Sequence, residues 1–230
     1  MRCKAMLGAL GTGLLLTGCG EDNDGGNVPV SVTAQLEPAQ SCEGAGSAED
    51  PAGDSTSGPF RDLRRLDLRV TQAGVCVRWT TDAQAVVGTR FFLDIRGPFE
   101  KTPGGAVVSH GYGFYVDLTK EGAEVTFGLA DPVADTPNVL DARVGQSGET
   151  VSAFVPRREL DRPPANMPDR PPFPDGDEFI IEARVLQAGP EDIADSWPDD
   201  PSSQAAYVNG HICGPPCSEP ERLFRIPQPG

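Results

Sequence analysis

Carboxylates are the only plentiful reactive groups in this chain, with 34 Asp and Glu set against 19 Lys and Arg and two His. Asp50, Asp54 and Asp62 fall together in a stretch rich in Gly, Pro and Ser. Three carboxylates helped by turn carbonyls are the donor set a hard cation such as Ca²⁺ requires, although Asp and Gly also serve simply as turn formers. Asp175-Gly176-Asp177-Glu178 has the same ambiguity where a strand begins. Asp192, Asp195, Asp199 and Asp200 read first as a solvated acidic patch and second as a cation site. The imidazoles are His110 and His211, and Ser109 next to His110 would point to the opposite face of a strand, away from its base. No GxSxG, HExxH, phosphate loop or dinucleotide fingerprint occurs, and no carboxylate pair stands out for glycoside hydrolysis. The chain therefore reads as non-enzymatic, with no catalytic residue assigned and a surface hydrolase as the remote alternative.

The N-terminus carries a different chemistry. Met1-Arg2-Cys3-Lys4 supplies a positive end, and Ala5 to Thr17 is an apolar run too short to span a bilayer, so the segment reads as an export signal. It closes with Leu16-Thr17-Gly18-Cys19, which resembles the lipobox of bacterial lipoproteins. That resemblance implies cleavage after a signal peptide of residues 1–18 and fatty-acyl chains, of the palmitate type, on Cys19. Several chains on one residue hold firmly at about 0.8 kcal/mol per buried CH₂. Residues 19–27 follow as a flexible tether, since Gly20 to Asn27 contains no apolar side chain. Asp22, Asn23 and Asp24 before Gly25 lack the Glu that a calcium loop needs at its twelfth position. The expected location is extracytoplasmic, lipid-anchored to the bacterial cell membrane or outer membrane.

Outside the cytoplasm, the even set Cys42, Cys76, Cys213 and Cys217 implies two disulfides. Sequence leaves three connectivities open, of which Cys42–Cys76 with Cys213–Cys217 closes the shorter loops. Cys213 and Cys217 with His211 give at most three zinc ligands, and the CxxxC spacing is not the redox CxxC.

The elements that would position these groups are strands. Gly and Pro together number 27 and 23, which favours turns over long helices. Apolar residues alternate over Val28–Leu36, and Leu66, Leu68 and Val70 pair in pattern with Val75, Val77 and Trp79 across a Gln72-Ala73-Gly74 turn, predicting a hairpin over residues 66–81. Further strands are predicted at Arg90–Arg96, Gly111–Leu118, Glu124–Ala130, Val139–Val144, Thr150–Val155 and Glu178–Gln187. Glu37 to Phe60 reads as turns. Pro156 to Asp177 reads as a long surface loop after one helical turn at Arg157–Leu160, because its prolines exclude regular helix and central strand. The fold class is all-β: one antiparallel sandwich, jelly-roll-like, of about eight or nine strands over residues 28–212, with a Cys/Pro-rich tail at 213–230.

Within that reading, Asp50-Pro51-Ala52-Gly53-Asp54, then Asp62-Leu63 and the strand Leu66–Thr71, resembles the opening of DOMON-like and family-nine carbohydrate-binding-like sandwiches. Ala194-Asp195-Ser196-Trp197-Pro198-Asp199 and Phe154-Val155-Pro156 echo later segments of such domains, and the likeness spans roughly residues 28–210. Members that bind sugars stack them on exposed aromatics. This chain is only 7% aromatic, so sugar binding is not inherited. Trp79 belongs to the core by its alternation, whereas Trp197 on an apparent loop and Tyr115 with its neighbours are the candidate ligand-binding residues.

Net charge sets the last limit. At −15, with Arg2 and Lys4 the only charges in residues 1–18, the remainder repels nucleic-acid phosphates and anionic head groups. The expected partners are the membrane through the N-terminal lipid, and a glycan or envelope protein through loops or the sandwich face. A structural spacer without a small-molecule ligand is the alternative.

Overall fold

The computed structural model describes residues 42–101, 107–128, 139–164, 167–176, 178–187, 193–199, 205–208 and 210–213. The signal, Cys19, the tether, the strand expected at 28–36 and the tail beyond Cys213 lie outside them.

Alternation of apolar and polar residues produces what it predicts, an antiparallel two-sheet sandwich. Its strands are β1 (Gly46–Glu49), β2 (Leu63–Thr71), β3 (Gly74–Thr81), β4 (Thr89–Lys101), β5 (Val107–Gly111), β6 (Phe114–Thr119), β7 (Gly122–Phe127), β8 (Arg143–Ser147), β9 (Thr150–Pro156), β10 (Glu178–Gln187), β11 (Ile193–Trp197), β12 (Ala205–Val208) and β13 (His211–Cys213). One short helix, α1 (Arg157–Asp161), interrupts them. The smaller sheet runs β1-β2-β3-β9-β8, and the larger runs β13-β12-β10-β4-β6-β7. Long strands β10 and β4 each carry a second short partner on one edge, β11 and β5 respectively. The inward rows meet in a single large core around Trp79, Phe91, Phe114, Phe179 and Tyr207.

The 66–81 hairpin forms as β2 and β3, and β10 keeps its predicted bounds. The strand expected at 139–144 lies instead at 143–147, with Val139 making only an isolated bridge to Thr126. The segment expected at 111–118 begins with the end of β5, breaks at Tyr112-Gly113 and resumes as β6. The thirteen strands among the described residues exceed the expected eight or nine, because β1, β11, β12 and β13 are three to five residues long, too short for a periodic signal.

A disulfide joins Cys42 to Cys76, as one of the open pairings had it, and Phe154 packs against it. Cys217 lies outside the described residues. Gly46 allows a second tie, because a Cβ there would sit 2.6 Å from the Gly210 carbonyl oxygen, so β1 of the smaller sheet lies directly on the backbone leading into β13 of the larger. Tyr207 provides a third: its hydroxyl oxygen accepts the Val70 amide of β2 at 3.1 Å, tying β12 of the larger sheet to the smaller one.

The 156–177 segment corrects the surface-loop expectation. Leu160 and Phe173 are fully buried in the core. Phe173 meets Tyr112 edge-on at 5.0 Å and stacks on Phe179 at 5.5 Å. The Tyr112 hydroxyl donates to the Pro172 carbonyl at 2.9 Å, and buried Arg170 lies over the Tyr112 and Phe127 rings while donating to the carbonyls of Leu160 and Arg162. Proline rules out ladder hydrogen bonds but does not decide burial. The segment is irregular in backbone and still closes one end of the core.

Truncating Phe173 to Ala is therefore expected to lower unfolding free energy by about 3–5 kcal/mol, the range for a buried aromatic. Urea unfolding followed by tryptophan fluorescence measures it. A loss below about 1 kcal/mol would return the segment to a surface loop.

Candidate functional site

The three carboxylates singled out by sequence converge, and two more join them. Asp50 directly follows β1, Asp54 sits in the next turn, and Asp62 closes a 3-10 turn (Pro59–Arg61) just before β2. Asp195 lies on β11, and Asp199 just beyond it. Carboxylate oxygens of Asp50, Asp54 and Asp199 lie within 4.8 Å of one another, and so do those of Asp54, Asp62 and Asp195.

Local backbone chemistry holds these side chains in place. The Asp50 amide donates to the Arg64 carbonyl at 3.0 Å, anchoring the turn to the start of β2. Gly53 takes φ +81°, a left-handed conformation that favours glycine, and its amide donates to Asp62 Oδ2 at 2.8 Å. The Thr56 amide donates to the Ala194 carbonyl at 2.9 Å, docking the same loop on β11. Asp195 completes the junction: its Oδ2 accepts the Leu63 amide and its Oδ1 accepts the Ser196 amide at 2.8 Å. A side chain of the larger sheet thereby caps the first amide of β2 in the smaller one. The 42–76 disulfide encloses the entire segment that carries Asp50, Asp54 and Asp62.

The electrostatics of this cluster are unfavourable as they stand. Asp50, Asp62 and Asp195 are buried, while Asp54 and Asp199 are exposed. Among the described residues, no Lys, Arg or His forms a salt bridge with any of the five. Both Asp50 oxygens and Asp62 Oδ1 are buried without a hydrogen-bond donor. Asp199 faces Asp50, and once both carboxylates are ionised neither can donate to the other. Burial first, then Asp199, Asp195 and Asp54, push the Asp50 carboxyl up to about 9. Burial raises Asp195 to about 6 against the opposing pull of the Leu63 amide, and burial also leads the upward shift of Asp54. Such a cluster lacks positive charge, and the donors present are all oxygens, which suits a hard divalent cation.

The remaining candidates are placed differently. Trp197 is not on a loop: it pairs with Ala183 across β11–β10 and is buried in the core, so its indole offers no face to a ligand. Alternation was not legible in so short a strand ending in proline. Tyr115 is half-buried in a column of stacked groups. Its ring stacks on Phe92 at 4.6 Å, Arg90 lies over it at 5.0 Å, and Arg184 lies over Phe92 at 5.7 Å. Cations and a neighbouring ring thus occupy the faces on which a sugar would stack. His211 is exposed on β13 and His110 half-buried on β5. Asp175 pairs with Arg157 at 3.0 Å, and Asp177, Asp192 and Asp200 lie outside the described residues.

Asp195 and Asp199 were legible as acids but not as partners of Asp50, because the contact spans more than 130 residues. The available signal was that the DPAGD turn and the ADSWPD segment are both acidic and both lie at strand ends.

A pH dependence follows. A folded-state carboxyl raised above its unfolded value near 3.8 contributes stability fully below that value and loses it as pH rises through the folded value. In cation-stripped protein, Asp50 and Asp195 make the melting temperature fall between pH 4 and 9, with the Asp195 share spent by about pH 6. The Asp50→Asn variant, neutral throughout, is expected to flatten this slope and to melt higher than the parent at pH 8. Equal slopes in the two proteins, read by calorimetry, would contradict the assignment.

No family model matches the chain, and no curated protein or solved structure matches it either.

Proposed function

We propose that this protein is a non-catalytic binding or accessory domain, held at an extracytoplasmic membrane surface by acyl chains on Cys19, whose acidic junction binds calcium. The observation that carries the calcium reading is Asp50, a carboxylate 5% exposed with both oxygens lacking a donor, set among four other carboxylates and no cation. Calcium accepts six to eight oxygens in flexible geometry, whereas Mg²⁺ demands a tighter octahedron and gives up water reluctantly. A turn-built cluster in which Asp54 and Asp199 stand open to solvent fits the larger ion. Extracellular calcium modules work with affinities of about 10⁻⁴–10⁻³ M, appropriate outside the cytoplasm.

The anchoring half of the reading is supported by the sequence pattern ending in Cys19 and by the polar tether after it. Among the described residues no helix is long and apolar enough to cross a membrane. Glycan engagement, if calcium is present, runs through coordination of hydroxyl or carboxylate oxygens, since the stacked Tyr115 column and buried Trp197 do not supply a platform. That same scarcity of exposed aromatic surface favours the spacer reading as the second one. Val139 and Ile193 are the exposed large apolar side chains among the described residues.

Addition of 5 mM CaCl₂ to stripped protein is expected to add roughly 2 kcal/mol of stability if the affinity is near 10⁻⁴ M, a rise of about 4–8 °C for a domain of this size. Magnesium at equal concentration should do less, and Asp54→Asn, which removes the carboxylate common to both triads, should abolish most of the calcium effect. A calcium response no larger than that of NaCl at matched ionic strength removes the calcium reading and leaves the spacer. Independently, mass spectrometry of the natively expressed protein should find Cys19 as the first residue, bearing acyl chains; an unmodified Met1 would end the anchoring proposal.

A further inference from the structure

We infer that the acidic junction has two cation seats sharing the Asp54 carboxylate, rather than one. The inference rests on the calcium reading above and concerns its stoichiometry and architecture.

Calcium–oxygen bonds run about 2.3–2.6 Å, so oxygens that ligate one ion lie within roughly 5 Å of each other. The five carboxylates meet that condition as two triads, and Asp54 is the only member of both. An ion seated among Asp54, Asp62 and Asp195 is not within direct reach of Asp50. An ion seated among Asp50, Asp54 and Asp199 leaves Asp62 and Asp195 without a metal. Either single occupancy therefore strands at least one carboxylate that is more than nine-tenths buried: Asp50 in the first case, Asp62 and Asp195 in the second. The stranded atoms are those that lack donors, namely both oxygens of Asp50 and Oδ1 of Asp62. Two divalent ions reduce the five negative charges to a residual of one and give each orphaned oxygen a positive neighbour.

The two seats differ in character. Asp62 and Asp195 in the inner seat are buried, and each already accepts a backbone amide, from Gly53 and from Leu63 and Ser196 respectively. That seat is preorganised at the junction of the two sheets. In the outer seat only Asp50 is buried, while Asp54 and Asp199 are exposed, so its ion keeps coordination positions open to water. The outer ion is the one that an incoming hydroxyl or carboxylate oxygen of a ligand can reach.

Isothermal titration of the stripped full chain with CaCl₂ at pH 8, with native mass spectrometry for stoichiometry, tests this. Two calcium ions per chain are expected. Asp199→Asn, at an exposed position of the outer triad only, should bind one ion with the tighter affinity retained. Asp54→Asn should weaken both steps by tenfold or more, with circular dichroism confirming that each variant is folded. One ion per parent chain, or two in Asp199→Asn, overturns the shared-seat arrangement while leaving calcium binding intact. No bound calcium at all overturns the arrangement together with the reading on which it rests.

Discussion

Like charges held close together repel, and this fold gathers five carboxylates where its two sheets join, three of them buried and two exposed. At an effective dielectric near 20, two unit charges 4.8 Å apart repel by about 3 kcal/mol, and each triad contains three such pairs. Three backbone amides, from Gly53, Leu63 and Ser196, offset part of this. The rest must be met by protons or by metal. That constraint organises the neighbourhood: the disulfide ring, the left-handed Gly53 turn and the docking of Thr56 on β11 all hold acids together that would otherwise separate.

The remainder of the sandwich supplies the rigidity that such a junction needs. Gly46 brings β1 against the backbone before β13, and Tyr207 reaches across the core to Val70. At another end, Phe173, Tyr112 and Arg170 fasten the proline-rich segment over the aromatic core. On the outer face of the larger sheet, Arg184, Phe92, Tyr115 and Arg90 stack in sequence, with Glu182 and Asp117 taking the two guanidinium groups. Cross-strand cation and ring contacts of this kind cover an otherwise apolar sheet face, and they consume the aromatic surface a sugar-binding module would expose.

Alternation made the long strands legible. Leu66 to Trp79 and Phe179 to Val185 could be placed on the correct face because period two persists over enough residues to register. Trp197 defeated the same reasoning, since β11 is five residues long and runs into Pro198. Phe173 was hidden by the prolines around it, which exclude regular structure but not burial. For the site, residue type identified Asp50, Asp54 and Asp62, and the resemblance drew attention to the ADSWPD segment. What one sequence does not carry is that these segments, far apart in the chain, end at the same corner. That pairing depends on β11 adding to the edge of β10, which no local pattern announces.

The account turns on a metal ion as the missing positive charge. Its most direct measurement is a crystal structure grown in calcium, with anomalous differences collected at a wavelength where calcium scatters strongly. The account predicts anomalous peaks at the junction, with an oxygen of Asp54 about 2.3–2.6 Å from the ion. Featureless anomalous density there, with Asp50 and Asp199 drawn together around a shared proton, would contradict it.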